Sequence, residues 1–312
     1  MNLPAGDDAG RTRWGIILIV LSFAFFALHD ALFKLLAADF SVFQILFVRS
    51  LLVLAVCAAV IHAGRRPSGL STPLMPRIIG RSIILFLGWI LYYTAARDLP
   101  LAEVTTLYYA APVMVALFSA MFLRERVSGG TWVALLVGLI GVLIASGVVT
   151  LSLTFASVLA LSAAFLWAMS TVLLRQLSLT QSTTAQMVVS NLVFALFTLP
   201  VIVVSWRSPA LLQWLGLFAV GALGGLAQLL LIESLRRAPA STIAPFEYTA
   251  LIWAFLLQFL IWGDLPSNHA MIGAGLIVGS AVIGFLARPI SRDPGIPQDR
   301  QSCRTEGEKQ ET

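Results

Sequence analysis

Residues 25–34 read FFALHDALFK and set a histidine beside an aspartate inside a run, 14–37, that is otherwise almost wholly apolar. A histidine titrates near neutral pH and can relay protons. A carboxylate can take a proton or pair with a cation. His29 and Asp30 can therefore line a polar cavity, move protons, or satisfy one another, and Arg49 in the next apolar run is a counter-ion for Asp30. The remaining apolar runs hold few such groups: Glu103, Asn191, Glu233 and Glu247 among the polar ones, with Ser170 opposite His29 and Asp30 in a second half of the chain. Tyr92, Tyr108, Tyr248, Trp89 and Trp167 are the aromatic residues that can line a site for a small metabolite. His29, Trp89, Tyr92, Tyr108, Trp167, Ser170, Glu233 and Tyr248 are the substrate-binding candidates. Asp30, Arg49, Glu103, Asn191 and Glu247 are the proton or gating candidates.

None of these groups has the spacing of a catalytic centre. The chain carries no HExxH, GxSxG or Asp-rich motif and no phosphate-binding Walker loop, so no enzyme chemistry, metal, nucleotide or other cofactor is expected. Its two cysteines, Cys57 and Cys303, lie in an apolar run and in the tail, a poor pairing for a disulfide.

The elements that must position these residues follow from composition. The 312 residues are 59% hydrophobic and 11% charged, with a mean hydropathy of +0.91, where soluble domains carry about 25% charge. Apolar runs of roughly 20 residues are helix length for a bilayer, and they lack the two-residue alternation of barrel strands. Ten spans are expected, at about 14–36, 42–63, 76–96, 100–123, 131–148, 153–174, 184–205, 211–235, 240–262 and 268–287. Arg11, Arg13, Arg65, Arg66, Arg77, Arg81, Arg124, Arg126, Arg175, Arg236, Arg237, Arg288 and Arg292 fall in one set of alternate loops, and Lys34, Arg97 and Arg207 in the other. The richer set belongs in the cytoplasm, which puts both termini there. The net charge of +5 thus reflects topology, not a nucleic-acid partner. The polar tail, 289–312, reads as disordered.

The second half repeats the first. Tyr93 to Pro100 corresponds to Ile232 to Pro239, Tyr109 to Tyr248 and Glu125 to Asp264, at an offset of about 139 residues. Asn191 stands for Arg49. The expected organisation is a cytoplasmic N-tail over 1–13, a first five-helix unit over 14–148 and a second over 153–288. An odd number of spans per unit makes the second enter the membrane from the opposite side, the inverted repeat of many secondary transporters. Polar clusters toward the two faces, around an apolar middle with Trp89 and Trp167, then suit two gates around one site. Each group also has a structural reading. Asp30 with Arg49 can simply fix helix register, Glu103 can favour a helix N-terminus, and Glu233 can pair with Arg236 or Arg237.

Pro112 and Pro245 lie inside the fourth and ninth spans, where proline removes a backbone hydrogen bond and kinks the helix; both are hinge candidates. Gly138 and Gly141 in the fifth span, and Gly275 and Gly279 in the tenth, permit tight packing on a neighbour or on a second subunit, hence a homodimer through these spans.

The stretch from Tyr93 to Pro112, the Leu123-Arg124-Glu125-Arg126 segment and the Gly138/Gly141 helix resemble the end of an EamA-type unit, and the order recurs over 232–285. The chain over 14–288 resembles a ten-helix member of the drug/metabolite transporter superfamily, of the bacterial amino-acid exporter kind. The resemblance implies a central pathway in the bacterial inner membrane. It also implies export of a small metabolite, an aromatic or neutral amino acid first, by alternating access. Gly263-Asp264 departs from the Arg/Glu pair that usually follows this helix. Carriers of other metabolites (a nucleoside, a vitamin, a cationic drug), a channel and a lipid-modifying enzyme are the competing classes.

Overall fold

The computed structural model describes residues 6–64, 71–99, 101–147, 154–263 and 268–287. All regular structure among them is helical: α1 Gly6–Leu36, α2 Val42–His62, α3 Met75–Asp98, α4 Leu101–Tyr108, α5 Ala111–Phe122, α6 Gly129–Ser146, α7 Phe155–Ser178, α8 Thr183–Ser205, α9 Leu211–Arg237, α10 Ala240–Ile243, a 3₁₀ turn over Ala244–Tyr248, α11 Thr249–Trp262 and α12 Asn268–Leu286. Among the described residues nine helices are long and apolar enough to cross a bilayer. The broken pair α4 and α5 makes the tenth crossing.

Local chemistry sets the ends. Ser41, Ser128, Thr154 and Ser182 cap α2, α6, α7 and α8 by accepting from backbone N–H groups of the first turn, which otherwise lack partners. Gly147 and Gly263 close α6 and α11 at φ of 64° and 72°, where an L side chain is strained. The first helix begins at Gly6, eight residues before the expected span, because the polar N-terminal stretch continues its helix beyond the apolar run. The expected tail 289–312 lies outside the described residues.

The prolines do more than kink. The fourth span is interrupted at Tyr109-Ala110, and Pro112 opens α5, where its missing N–H costs nothing. The ninth passes through the 3₁₀ turn that contains Pro245, a geometry that often marks a hinge.

Packing obeys one rule. Helix α1 lies on α9, α3 on α7, α2 on α8, α5 on α10 and the 3₁₀ turn, and α6 on α12. Numbered as crossings, the first of each five meets the third of the other, the second meets the second, the fourth the fourth and the fifth the fifth. The scheme is unchanged when the two fives are exchanged. Large apolar side chains such as Val203, Val204, Leu211 and Leu212 face outward, as lipid-facing surface does.

The α6–α12 contact corrects one expectation. A Cβ on Gly273 would stand 2.4 Å from the Gly141 carbonyl oxygen, and one on Gly138 would meet the Tyr248 ring, while Gly275 and Gly279 have open space. The buried face of α12 is Gly273, Ile277, Ser280 and Gly284, and it packs on α6 and the 3₁₀ turn of the same chain. Gly138 and Gly141 are thus used within the chain, whereas the Gly275 and Gly279 face of the tenth span points away from this contact.

Candidate functional site

The first three crossings of each half line a partly open, narrow cleft. Phe26 comes from α1, Arg49 from α2, Arg81, Leu85 and Trp89 from α3, Trp167 from α7, Ser190, Asn191 and Phe194 from α8, and Gln228 and Leu231 from α9. Four of the candidates read from sequence, Arg49, Trp89, Trp167 and Asn191, meet here.

Arg49 is 6% exposed. Its guanidinium carbon stands 5.5 Å from the Trp89 ring centroid, a cation–π contact. Gly224 makes room for it: a Cβ there would lie 2.6 Å from Arg49 Nε and 2.8 Å from His29 Cδ2. On the α8–α9 wall, Asn191 Nδ2 donates to Met187 O at 2.8 Å and to Gln228 Oε1 at 3.1 Å. Trp167 Nε1 donates to Glu247 Oε2 at 3.1 Å, which ties the wall to the 3₁₀ turn of the ninth crossing. Glu247 itself is buried.

The expected Asp30–Arg49 pair does not form. Asp30 holds His29 instead, Oδ1 to Nδ1 at 2.9 Å, with His29 fully buried and the Asp30 side chain 69% exposed. Adjacent positions on a helix diverge by about 100°, so Asp30 turns outward while His29 turns inward. His29 packs beside Phe33 and does not line the cavity.

An aromatic file runs along one side of the site: Phe33 and Tyr93 stack at 5.9 Å, Tyr93 meets Tyr92 at 5.7 Å, Tyr92 meets Tyr108 at 5.0 Å, and Tyr108 meets Trp167 at 6.3 Å. Tyr92 and Tyr108 reach the cavity only through their neighbours. Tyr248 fills the notch at Gly138, 6.0 Å from Tyr109, and is a core residue. Ser170 is buried behind the wall with no partner for its hydroxyl among the described residues. The Glu103 side chain lies outside what the structure describes.

Glu233 takes the structural alternative. Thr183 Oγ1 donates to it, Arg237 pairs with it, and Arg236 lies 3.6 Å away. Nearby, Glu125 accepts from Arg175 Nε at 3.3 Å, from the Ala240 and Ser241 N–H groups, and from Ser241 Oγ at 2.9 Å. It thereby caps the start of the ninth crossing.

Sequence reasoning missed Arg81, which it counted among loop arginines. Arg81 sits six residues into α3, about 9 Å along the helix, is 3% exposed, and donates to Ser190 Oγ at 2.9 Å. Its depth inside the apolar run was the available signal. Gln228 was missed too, although the repeat offset sets it opposite Trp89.

The profile of the EamA-like transporter family matches residues 13–147 and again 154–286. The pseudopaline exporter of Pseudomonas aeruginosa strain UCBPP-PA14 is 29% identical over 272 residues, covering 86% of this chain and 94% of that protein. A riboflavin transporter of Vibrio cholerae is 29% identical over 187 residues, 60% of this chain and 63% of its own. The S-adenosylmethionine uptake transporter of Rickettsia prowazekii is 23% identical over 274 residues, 87% and 92% of the two chains. A protein of known crystal structure superposes with a TM-score of 0.76 at 22% identity, over 90% of this chain and 99% of its own; it shares the fold. Two matched repeats, the helical bundle and these metabolite-transporting relatives make the chain a multi-pass protein of the bacterial inner membrane that belongs to the EamA-like transporter family, within the drug/metabolite transporter superfamily.

Proposed function

We propose that the protein is a secondary transporter that exports small carboxylate-bearing metabolites, amino acids and their relatives among them, by alternating access. The observation that carries this reading is the polar and aromatic cleft between the first three crossings of each half, lined by Arg49, Arg81, Trp89, Trp167, Asn191 and Gln228. The two five-helix units are taken as inverted copies with both termini in the cytoplasm. The exchange-symmetric packing supports the inversion, and the arginine bias supports the orientation even with Arg81 removed from the count. Export follows the likeness to the pseudopaline exporters. Rocking of the halves would open the cavity to one side and then the other, with the breaks near Pro112 and Pro245 absorbing the motion.

The buried cations turn the expectation from neutral or aromatic amino acids toward anionic ones, while the wall of Trp89 and Trp167 still suits a carbon skeleton. Counterflow in proteoliposomes tests the reading. Saturable exchange of a labelled solute from a panel of amino acids, organic acids, nucleosides and vitamins is expected. A non-saturating conductance would make the protein a channel, and product formed from lipid would make it an enzyme.

A further inference from the structure

Two guanidinium groups line the cavity without an ion pair among the described residues. Arg49 makes no hydrogen bond or ion pair among the described residues, and its Nε is buried without a partner. Arg81 donates through Nη1 to Ser190 Oγ at 2.9 Å, and its Nε too is buried without a partner. Among the described residues no carboxylate lies within 4.0 Å of either. An arginine in the membrane interior costs at least ~2.5–3.5 kcal/mol on insertion scales, so two unmatched cations facing one cavity call for an anion that visits. They stand at different depths. Arg49 is level with Trp89, and Trp89 follows Arg81 by eight residues on α3, about 12 Å along the helix axis.

We propose that the transported metabolite is an elongated dicarboxylate, one carboxylate held in the fork of Arg49 and the other in that of Arg81, with its skeleton along Trp89. The proposal rests on the cavity being the substrate site and narrows its substrate class. Single positive charges at two depths match single negative charges at two ends. A phosphate would concentrate both charges at one end. Asn191 and Gln228, already bonded to each other, supply amide groups to the middle of the ligand without adding charge. The fork of arginine binds a carboxylate through two parallel N–H···O bonds, which lysine cannot reproduce.

The test uses the full chain, purified and reconstituted. Succinate, glutarate, adipate and glutamate are compared with butyrate, leucine, phenylalanine and glycerol 3-phosphate, by thermal stabilisation and by inhibition of counterflow. At least one dicarboxylate is expected to bind about tenfold or more tightly than every monocarboxylate, equivalent to one lost charge-assisted grip. Arg49→Gln and Arg81→Gln should each remove that advantage, leaving dicarboxylate and monocarboxylate alike. Arg49→Lys and Arg81→Lys, which keep the charge, should fold and recover part of it. Equal binding of leucine or butyrate by the unaltered protein would overturn the proposal, as would preference for the phosphate, or dicarboxylate binding unmoved in both Gln variants. Saturable exchange of a neutral solute with no response to dicarboxylates would sink this proposal while leaving the transport reading intact. No exchange of any solute would sink both.

Discussion

The arginine-rich end of the bundle and the cavity use the same side chain in opposite ways. At the end, Arg175 faces Glu125, and Arg236 and Arg237 face Glu233. In the cavity, Arg49 and Arg81 make no ion pair among the described residues. A matched buried pair holds structure, and removing one partner strands the other. An unmatched cation contributes little to the fold and much to whatever anion arrives. The contrast separates groups that build this transporter from groups that work in it.

The comparison breaks most visibly at Arg49. Arg49→Gln should reduce flux by about 10–100-fold, the worth of a hydrogen bond to a charged group, without lowering the melting temperature in detergent. A large loss of stability with normal flux would place Arg49 among the structural groups. Glu125→Gln should do the reverse in stability: about 1.5–3 kcal/mol lost from its bonds to Arg175 and Ser241, read as a melting temperature several degrees lower. Glu125 and Arg175 are only 13% and 14% exposed, so solvent screening discounts this modestly.

Trp167→Phe sharpens the boundary between the two regions, because it keeps the ring in the cavity wall and deletes the donor to Glu247. Losing that bond strands a buried carboxylate at a cost of about 1–3 kcal/mol, and a moderate fall in both exchange rate and melting temperature is expected. The smallest contrast lies on α12. Gly273→Ala meets the Gly141 carbonyl oxygen and should destabilise by about 1–3 kcal/mol. Gly275→Ala meets open space and should change stability by less than about 0.5 kcal/mol. Equal melting temperatures for these two variants would mean that the α6–α12 seam is looser than described.

Much of the fold was legible because lipid makes hydropathy decisive: long apolar runs must be helices, and short connections must join antiparallel neighbours. The interruptions in the fourth and ninth crossings were half legible. Pro112 and Pro245 marked them, but the full break at Tyr109-Ala110 and the 3₁₀ turn depend on what packs alongside. The site was less legible. Arg49, Trp89, Trp167 and Asn191 follow from depth and from the repeat. Arg81 was hidden because one arginine near a helix end looks like a topological signal. Asp30 misled, since adjacency to a buried histidine does not fix which way the carboxylate turns. Gly275 and Gly279 were half legible: four-residue spacing is visible in sequence, but that their face points away from α6 is not.

The claim beneath all of this is that the Arg49–Arg81 cavity opens to each side of the membrane in turn. Leu231, 5% exposed and on the cavity wall, reports on it directly when replaced by cysteine in a chain whose Cys57 and Cys303 are serine. Maleimide labelling in right-side-out and in inside-out vesicles is expected to reach Leu231→Cys from both sides, and a saturating transported solute should shift the balance between them. Labelling from one side alone, in both vesicle orientations and whatever the solute, would contradict the account.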